Sequence, residues 1–316
     1  MGIQTESGKA FEYALIRTFK DTLLSYQVKV EIKTNKTFNT AQSCFEKFSQ
    51  NDKNDYMISS ERAINHLIDL EPRLNFQSDD SDILQLEIMP DSAGISGDVR
   101  DVIAIRSLHD WEIGISAKNN HADAKHSRLS DKIDFGKEWF GISCSSDYFQ
   151  KIHPIFLKLK ELKEQKRLWR DLKNKSHDIY IPLLNTFKDE LQKINELNMN
   201  TVPKKLIEYL LGKKDFYKVI KRNKFTEIHG YNLYQTLNQS AGKNQPKIKI
   251  PKLRLPSRII ELDFKPDSDT SLFLYCDEGW QISFRIHNAS SKVEPSLKFA
   301  ISLIGNPSNL YSHSCF

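Results

Sequence analysis

Asp98 and Asp101 open the run Asp98-Val99-Arg100-Asp101-Val102-Ile103-Ala104-Ile105, and Lys118 closes the next one, Glu112-Ile113-Gly114-Ile115-Ser116-Ala117-Lys118. Joined by a tight turn near Leu108, the two runs make an antiparallel hairpin in which facing residue numbers sum to about 216. Asp98 then faces the neighbourhood of Lys118, and Asp101 faces Ile115 or Ser116. Carboxylates that can hold Mg²⁺ and an ammonium that can stabilise developing negative charge thus converge at one end of a hairpin. That is the equipment for hydrolysing a phosphodiester. Acids and lysines are common at strand ends, so the spacing alone also fits an exposed acid pair beside an ordinary surface lysine.

Further residues extend the pattern. Glu12, in Gly8-Lys9-Ala10-Phe11-Glu12-Tyr13, lies among apolar neighbours on a helix-forming stretch and is a candidate extra metal ligand or water anchor. After Lys118 come Asn119, His121, Lys125, His126 and Arg128. His121, Lys125 and Arg128 recur at helical spacing and would form one cationic face suited to gripping phosphate. Imidazole titrates near neutrality, but a hydrogen-bonded structural role fits either histidine as well as a general base does.

A second group lies near the C-terminus, along Trp280 to His287. Ile282, Phe284 and Ile286 alternate there with Gln281, Ser283, Arg285 and His287, so one face of a strand is apolar and the other polar. Arg matches guanine O6 and N7, and Gln, Ser, His and the following Asn288 can engage other groove atoms. Glu294 can accept from cytosine N4, while Lys292 and Lys298 suit phosphates. A sheet with a merely solvated polar face gives the same alternation. Upstream, no Asp or Glu occurs between Glu227 and Glu261, whereas Lys243, Lys247, Lys249, Lys252, Arg254 and Arg258 crowd the second half of that gap. This is a phosphate-binding segment or a solvated loop.

The elements that must position these residues follow from periodicity. A first helix runs from about Gly8 to Leu24. Residues 32 to 80 are polar and read as an insertion, with a helix-like stretch near Ile58 to Leu70. Strands are expected at 83–89, 99–106 and 111–118, a helix at 121–133, a strand at 139–144, and a long helical segment through Lys175. Residues 176 to 240 continue mainly helical, with Pro203 as a start and Gly212 as a stop. Prolines 246, 251 and 256 mark a change of character, and four strands are expected after them, at 258–264, 271–276, 280–287 and 297–304. The expected partition is a core over 1–160 carrying the insertion, a helical region over 161–240 and a β-rich recognition region over 241–316.

Composition bounds the rest. The chain has 316 residues, 39% of them apolar, enough for a substantial core. The formal net charge of +5 is too mild to identify a polyanionic partner by itself. Cys44, Cys144, Cys276 and Cys315 are widely separated and form no CxxC pair, which argues against a zinc ribbon or a secreted disulfide scaffold and suits a reducing cytoplasm. No signal-peptide order and no bilayer-length apolar run is present.

The order helix, three strands, helix, strand, with acids opening one strand and a lysine ending the next, is similar to the PD-(D/E)xK nuclease core, an α/β (α+β) fold with a mixed sheet flanked by helices. One departure is evident: two positions before Lys118, where that core carries Asp or Glu, stands Ser116. Glu112, on the same strand face, and Glu138 are candidate replacements, and Asp98, Asp101 and Glu112 are the candidate metal ligands. A literal Pro90-Asp91 lies in a loop-like stretch and fits the role less well. Taken together, residues 97–102, the block from Trp111 through Leu129, the segment 212–218 and the block 279–288 resemble the HaeIII family of Type II restriction endonucleases. The resemblance implies Mg²⁺-dependent cleavage of double-stranded DNA at a short palindrome, GGCC for the family's namesake, by a cytoplasmic monomer or homodimer paired with a cognate DNA methyltransferase. Two other functions use the same features: a non-catalytic sequence-specific nucleic-acid-binding protein, which leaves the Asp-Asp-Lys hairpin idle, and a structure-specific repair nuclease.

Overall fold

The computed structural model describes residues 2–94, 97–120, 123–305 and 307–316, without the side chains of residues 123–126. In chain order the elements are α1 (Ile3–Ser25), β1 (Val30–Lys33), α2 (Lys36–Glu46), α3 (Gln50–Leu70), β2 (Leu84–Ile88), β3 (Val102–Arg106), β4 (Trp111–Asn119), β5 (Asp123–Leu129), α4 (Phe135–Phe140), α5 (Ser146–Glu164), α6 (Ile181–Leu197), α7 (Val202–Leu211), β6 (Phe216–Lys221), β7 (Thr226–Tyr231), β8 (Ile259–Phe264), β9 (Ser271–Cys276), β10 (Gln281–His287), β11 (Leu297–Gly305) and β12 (Tyr311–Cys315). They form two compact units, the first made of residues 1–122, 212–254 and 309–316, the second of 123–211 and 255–308. The expected contiguous partition at 160 and 240 does not follow these units. The helices after residue 134 fold with the C-terminal strands, and residues 212–254 return to the first unit.

The first unit is a seven-stranded mixed sheet in the order β1-β2-β3-β4-β6-β7-β12. β1 is parallel to β2, β2-β3-β4 is an antiparallel meander, β6 is parallel to β4, and β7 and β12 are antiparallel additions. The 32–80 segment is part of this core and not an insertion. Ala41, Phe45, Tyr56, Ala63, Ile64 and Leu67, from α2 and α3, are buried in the same cluster as Phe11, Ala14, Leu15 and Phe19 of α1 and Val102, Ala104, Ile113 and Ile115 of the sheet. Their apolar positions are spaced for one face of each helix, and the polar residues on the other faces give the segment the look of an insertion. β6 and β7 also replace expected helix. Residues 216–221 are buried throughout, and a strand covered on both faces shows no alternation to read.

The second unit is a five-stranded antiparallel sheet, β5-β11-β10-β9-β8. The expected helix over 121–133 is instead β5, which pairs with β11 from Leu129↔Leu297 to Asp123↔Ser302. The three-to-four-residue recurrence of basic side chains mimicked a helix, while the partner strand lies far along the chain. The expected strand at 139–144 is replaced by the short helix α4, opened by the Asp134 side chain accepting from the Lys137 amide and stopped by Gly141 at φ 73°. Phe135, Phe187, Phe284 and Phe299 form its aromatic core, with ring centroids 4.7 Å apart for Phe135–Phe187 and 4.9 Å for Phe187–Phe299.

One buried acid is built into the first unit. Glu71, following α3, accepts from the Tyr217 hydroxyl at 2.6 Å and from the Asn238 amide at 2.5 Å. Burial, only partly offset by these hydrogen bonds, pushes its pKa up to about 7. A carboxyl whose pKa is raised on folding contributes stability that is full below its unfolded value of 4.5 and lost as pH climbs through about 7. Denaturant unfolding of wild type and Glu71→Gln across this range is expected to show the wild-type advantage shrinking with pH by roughly 3 kcal/mol.

Candidate active site

β3 and β4 pair as Val102↔Ile115 through Arg106↔Trp111, so facing numbers sum to 217. The last ladder bond runs from the Asp101 amide to the Ile115 carbonyl at 2.8 Å, and Asp101 stands beside Ser116. One carboxylate oxygen of Asp101, Oδ2, accepts from the Ala117 amide at 2.7 Å, from Lys118 Nζ at 3.2 Å and from the Ser116 hydroxyl at 3.3 Å. Period-two geometry puts Ser116 and Lys118 on one face of β4, which is why both reach the same acid. The side chains of Asp101 and Lys118 are about a quarter exposed, accessible yet held.

Glu12 comes from the middle of α1, whose packing on the sheet buries it. Burial, together with the negative charge of Asp101, pushes its pKa up to about 8, and Lys9 and Lys118 offset this only in part. Two carboxylates close enough to repel each other in this way, and rich in oxygen donors, fit a hard divalent cation. Lys9 Nζ bonds Glu12 Oε2 at 2.9 Å and Asp91 Oδ1 at 2.6 Å, so Lys9 and Asp91 belong to the same cluster. Lys9 is on the turn of α1 before Glu12, a spacing that the sequence displayed without its being used. Asp91 is the Asp of the literal Pro90-Asp91, set aside because of its loop context, and it does sit in a short 3₁₀ turn.

Asp98 and Glu112 are not in this cluster. Arg100 grips Asp98 through both carboxylate oxygens, at 2.8 and 2.7 Å, and Glu112 at 3.0 Å, and Lys214 bonds Glu112 as well. Gly114 permits this, because a Cβ there would stand 2.0 Å from Arg100 Cδ. Burial would raise both acids, but the hydrogen bonds and charges of Arg100 and Lys214 outweigh it and hold them below their usual range. Glu112 is six residues from Lys118, roughly 20 Å along the strand. Asp98 precedes the paired part of β3, which is why the numbering rule that placed it opposite Lys118 fails. Glu138 stands on α4 in the second unit.

Asn119 is engaged inside the first unit, donating to the Ser7 hydroxyl and, at 3.4 Å, to that of Tyr56. His121 lies outside the described residues, as do the side chains of Lys125 and His126, although the backbone of the latter two is in β5. Arg128 bonds Glu294 Oε2 and the Ser296 hydroxyl, each at 2.9 Å, and so holds β5 to the turn before β11. On β10 the alternation is as expected: Ile282, Phe284 and Ile286 are fully buried, Gln281 and Arg285 exposed, Ser283 and His287 half-buried. Asn288 is occupied in the following turn, donating to the carbonyls of Ser290 and Lys292, while the Lys292 side chain is exposed. Residues 243–254 cross the first unit as an extended segment pinned by buried Ile250 and Leu253. Lys243, Lys249 and Lys252 are exposed between and beside these anchors, and Lys247 pairs with Asp69 at 2.7 Å.

The HaeIII restriction endonuclease family model matches residues 8–307. The Type II restriction enzyme HaeIII of Haemophilus aegyptius is 41% identical over 307 residues, which cover 96% of this chain and 95% of that enzyme. No solved structure gives a significant match. Arg100 ties Asp98 to Glu112: Arg100→Ala is expected to lower unfolding free energy by about 3 kcal/mol in a denaturant titration, because it strands Asp98 and leaves Glu112 to Lys214 alone.

Proposed function

This chain belongs to the HaeIII restriction endonuclease family, and from that premise we propose that Asp101, Glu12 and Lys118 form the centre at which it cuts double-stranded DNA. The activity is that of a Type II restriction enzyme, and enzymes of this type use a divalent metal. Mg²⁺ is the ion we assign, because the donors that converge are carboxylate oxygens. The observation that carries the assignment is the convergence of Lys118 Nζ, the Ala117 amide and the Ser116 hydroxyl on one oxygen of Asp101, with the buried, Lys9-bound Glu12 carboxyl supplied by α1.

Asp101 and Glu12 would hold the cation, which would supply Lewis-acid polarisation of the scissile phosphate and favour deprotonation of the attacking water. The protein's own groups do the positioning. The Ala117 amide and Ser116 hydroxyl fix one oxygen of Asp101, and we assign the other to the cation. Lys118 Nζ places a positive charge beside the reacting phosphate, where negative charge grows. Lys9 bridges Glu12 and Asp91 and keeps the buried Glu12 carboxyl in place. Glu12 thereby replaces the acid missing at Ser116, in preference to Glu112 or Glu138.

Recognition we assign to the polar face of β10, with Arg285 reading guanine in a GGCC-type site and Gln281, Ser283 and His287 alongside it. The exposed lysines of 243–252 hold phosphates. A palindromic target suits a homodimer or a monomer that nicks each strand in turn, and a cognate methyltransferase in the same cytoplasm would protect the host's own sites. None of the described helices is long and apolar enough to cross a membrane.

Digestion of a plasmid of known sequence in Mg²⁺ buffer should give discrete fragments whose ends map to one short palindrome, and EDTA should stop it. Cutting confined to mismatches or flaps, or binding without cutting, would overturn this assignment. Asp101→Ala should abolish cleavage while keeping specific binding in a gel-shift assay, Lys118→Ala should lower kcat by roughly 100- to 1,000-fold, and Asp98→Asn should still cut. Arg285→Ala is expected to cost about 1–3 kcal/mol of discrimination at one base pair, whereas Lys249→Ala should weaken binding to all sequences and reduce the salt slope by about 1.

A further inference from the structure

Nothing in duplex cleavage uses the face of α3 that meets the edge strand β12. There, His66 of α3 and His313 and Cys315 of β12 each bring a ligating atom into a group whose members lie within 4.8 Å of one another. His313 and Cys315 are two residues apart, hence on one strand face, and Tyr311 precedes them on that same face. The rings of His66 and His313 are stacked at 4.0 Å and 6°. We propose that His66, His313 and Cys315 form a site for a transition metal of the zinc class, distinct from the Mg²⁺ centre, that ties β12 to α3.

Two imidazoles and a thiolate are the donor set that such ions prefer, and three protein ligands plus a water complete a tetrahedron. Mg²⁺, which demands oxygen, does not compete for it, and the nitrogen and sulfur donors in turn set it apart from the all-oxygen group at Asp101 and Glu12. The Tyr311 hydroxyl holds His66 Nε2 at 2.7 Å, which leaves Nδ1 as the coordinating nitrogen and fixes the ring's orientation, the usual role of a partner behind a metal-bound histidine. Ligating atoms around zinc are roughly 3.3–3.6 Å apart, given bond lengths of about 2.0–2.3 Å. Closure therefore requires His313 to turn out of the stack, and its exposed side chain is free to do so. On binding, the Cys315 thiol gives its proton to solvent as the sulfur–metal bond forms.

Among the described residues β12 pairs with one strand only, β7, so it is the edge of the sheet. A metal bridge to α3 would lock that edge, and because the unfolded chain lacks the site, binding would raise stability.

The test is titration of the chelator-stripped full-length protein with Co²⁺ alone. The proposal expects a sulfur-to-cobalt charge-transfer band that saturates at a single equivalent, is displaced by Zn²⁺, disappears in Cys315→Ser, and needs at least roughly tenfold more Co²⁺ in His313→Ala, as for loss of one of three ligands. Zn²⁺ should raise the Tm of wild type but not of Cys315→Ser. Absence of the band, or an undiminished band in Cys315→Ser, would overturn the proposal and leave the histidine stack as a packing contact. Neither result bears on cleavage, which Cys315→Ser is expected to retain.

Discussion

Glu12 is an acid that the fold buries within reach of the negative charge of a second acid, Asp101. Helix α1 must bury Phe11, Ala14, Leu15 and Phe19 on the sheet, and doing so drives the Glu12 carboxyl into the same interior, next to the end of β3. Lys9 bonds Glu12 and Lys118 bonds Asp101, so each acid has an ammonium against it. Hydrophobic packing of one helix thus sustains an electrostatic demand that the divalent cation we propose would meet, the general arrangement by which sites are preorganised at some cost to stability. Ser116 fits this account. With the second acid arriving from α1, the position two before the lysine is left to orient Asp101 by a hydrogen bond.

Cutting and reading are assigned to separate sheets. The first unit contributes a mixed sheet whose β3–β4 hairpin carries the acids and lysine, and α1, α2 and α3 support it. The second contributes an antiparallel sheet packed on one face by aromatic residues of its helices, which leaves the Gln281, Ser283 and Arg285 side for solvent or groove. The chain passes between the units repeatedly, three residues separating the end of β4 from the start of β5.

The most legible parts of the sequence were those governed by local pattern. The hairpin, the strand alternation at 281–287, the Pro203 start and the Gly212 stop all follow from side-chain period and turn chemistry, and each is found in place. What was hidden depends on partners distant in sequence. β5 is a strand because β11 pairs with it from the far end of the chain, and its basic residues carried a helical spacing by coincidence. β6, covered on both faces, showed no alternation at all. Asp98 looked equivalent to Asp101 until Arg100, reaching over Gly114, was seen to engage it. Glu12 could be named as a candidate from its apolar neighbours, but the charge balance with Lys9 and Asp91 needed the folded arrangement.

The most direct test of a shared cation is anomalous scattering from crystals of the protein soaked in Mn²⁺, a stand-in for Mg²⁺. A single strong peak about 2.0–2.3 Å from carboxylate oxygens of both Asp101 and Glu12 is the predicted result. A peak at Asp98 and Glu112, or one that touches Asp101 while Glu12 keeps to Lys9 alone, would contradict it.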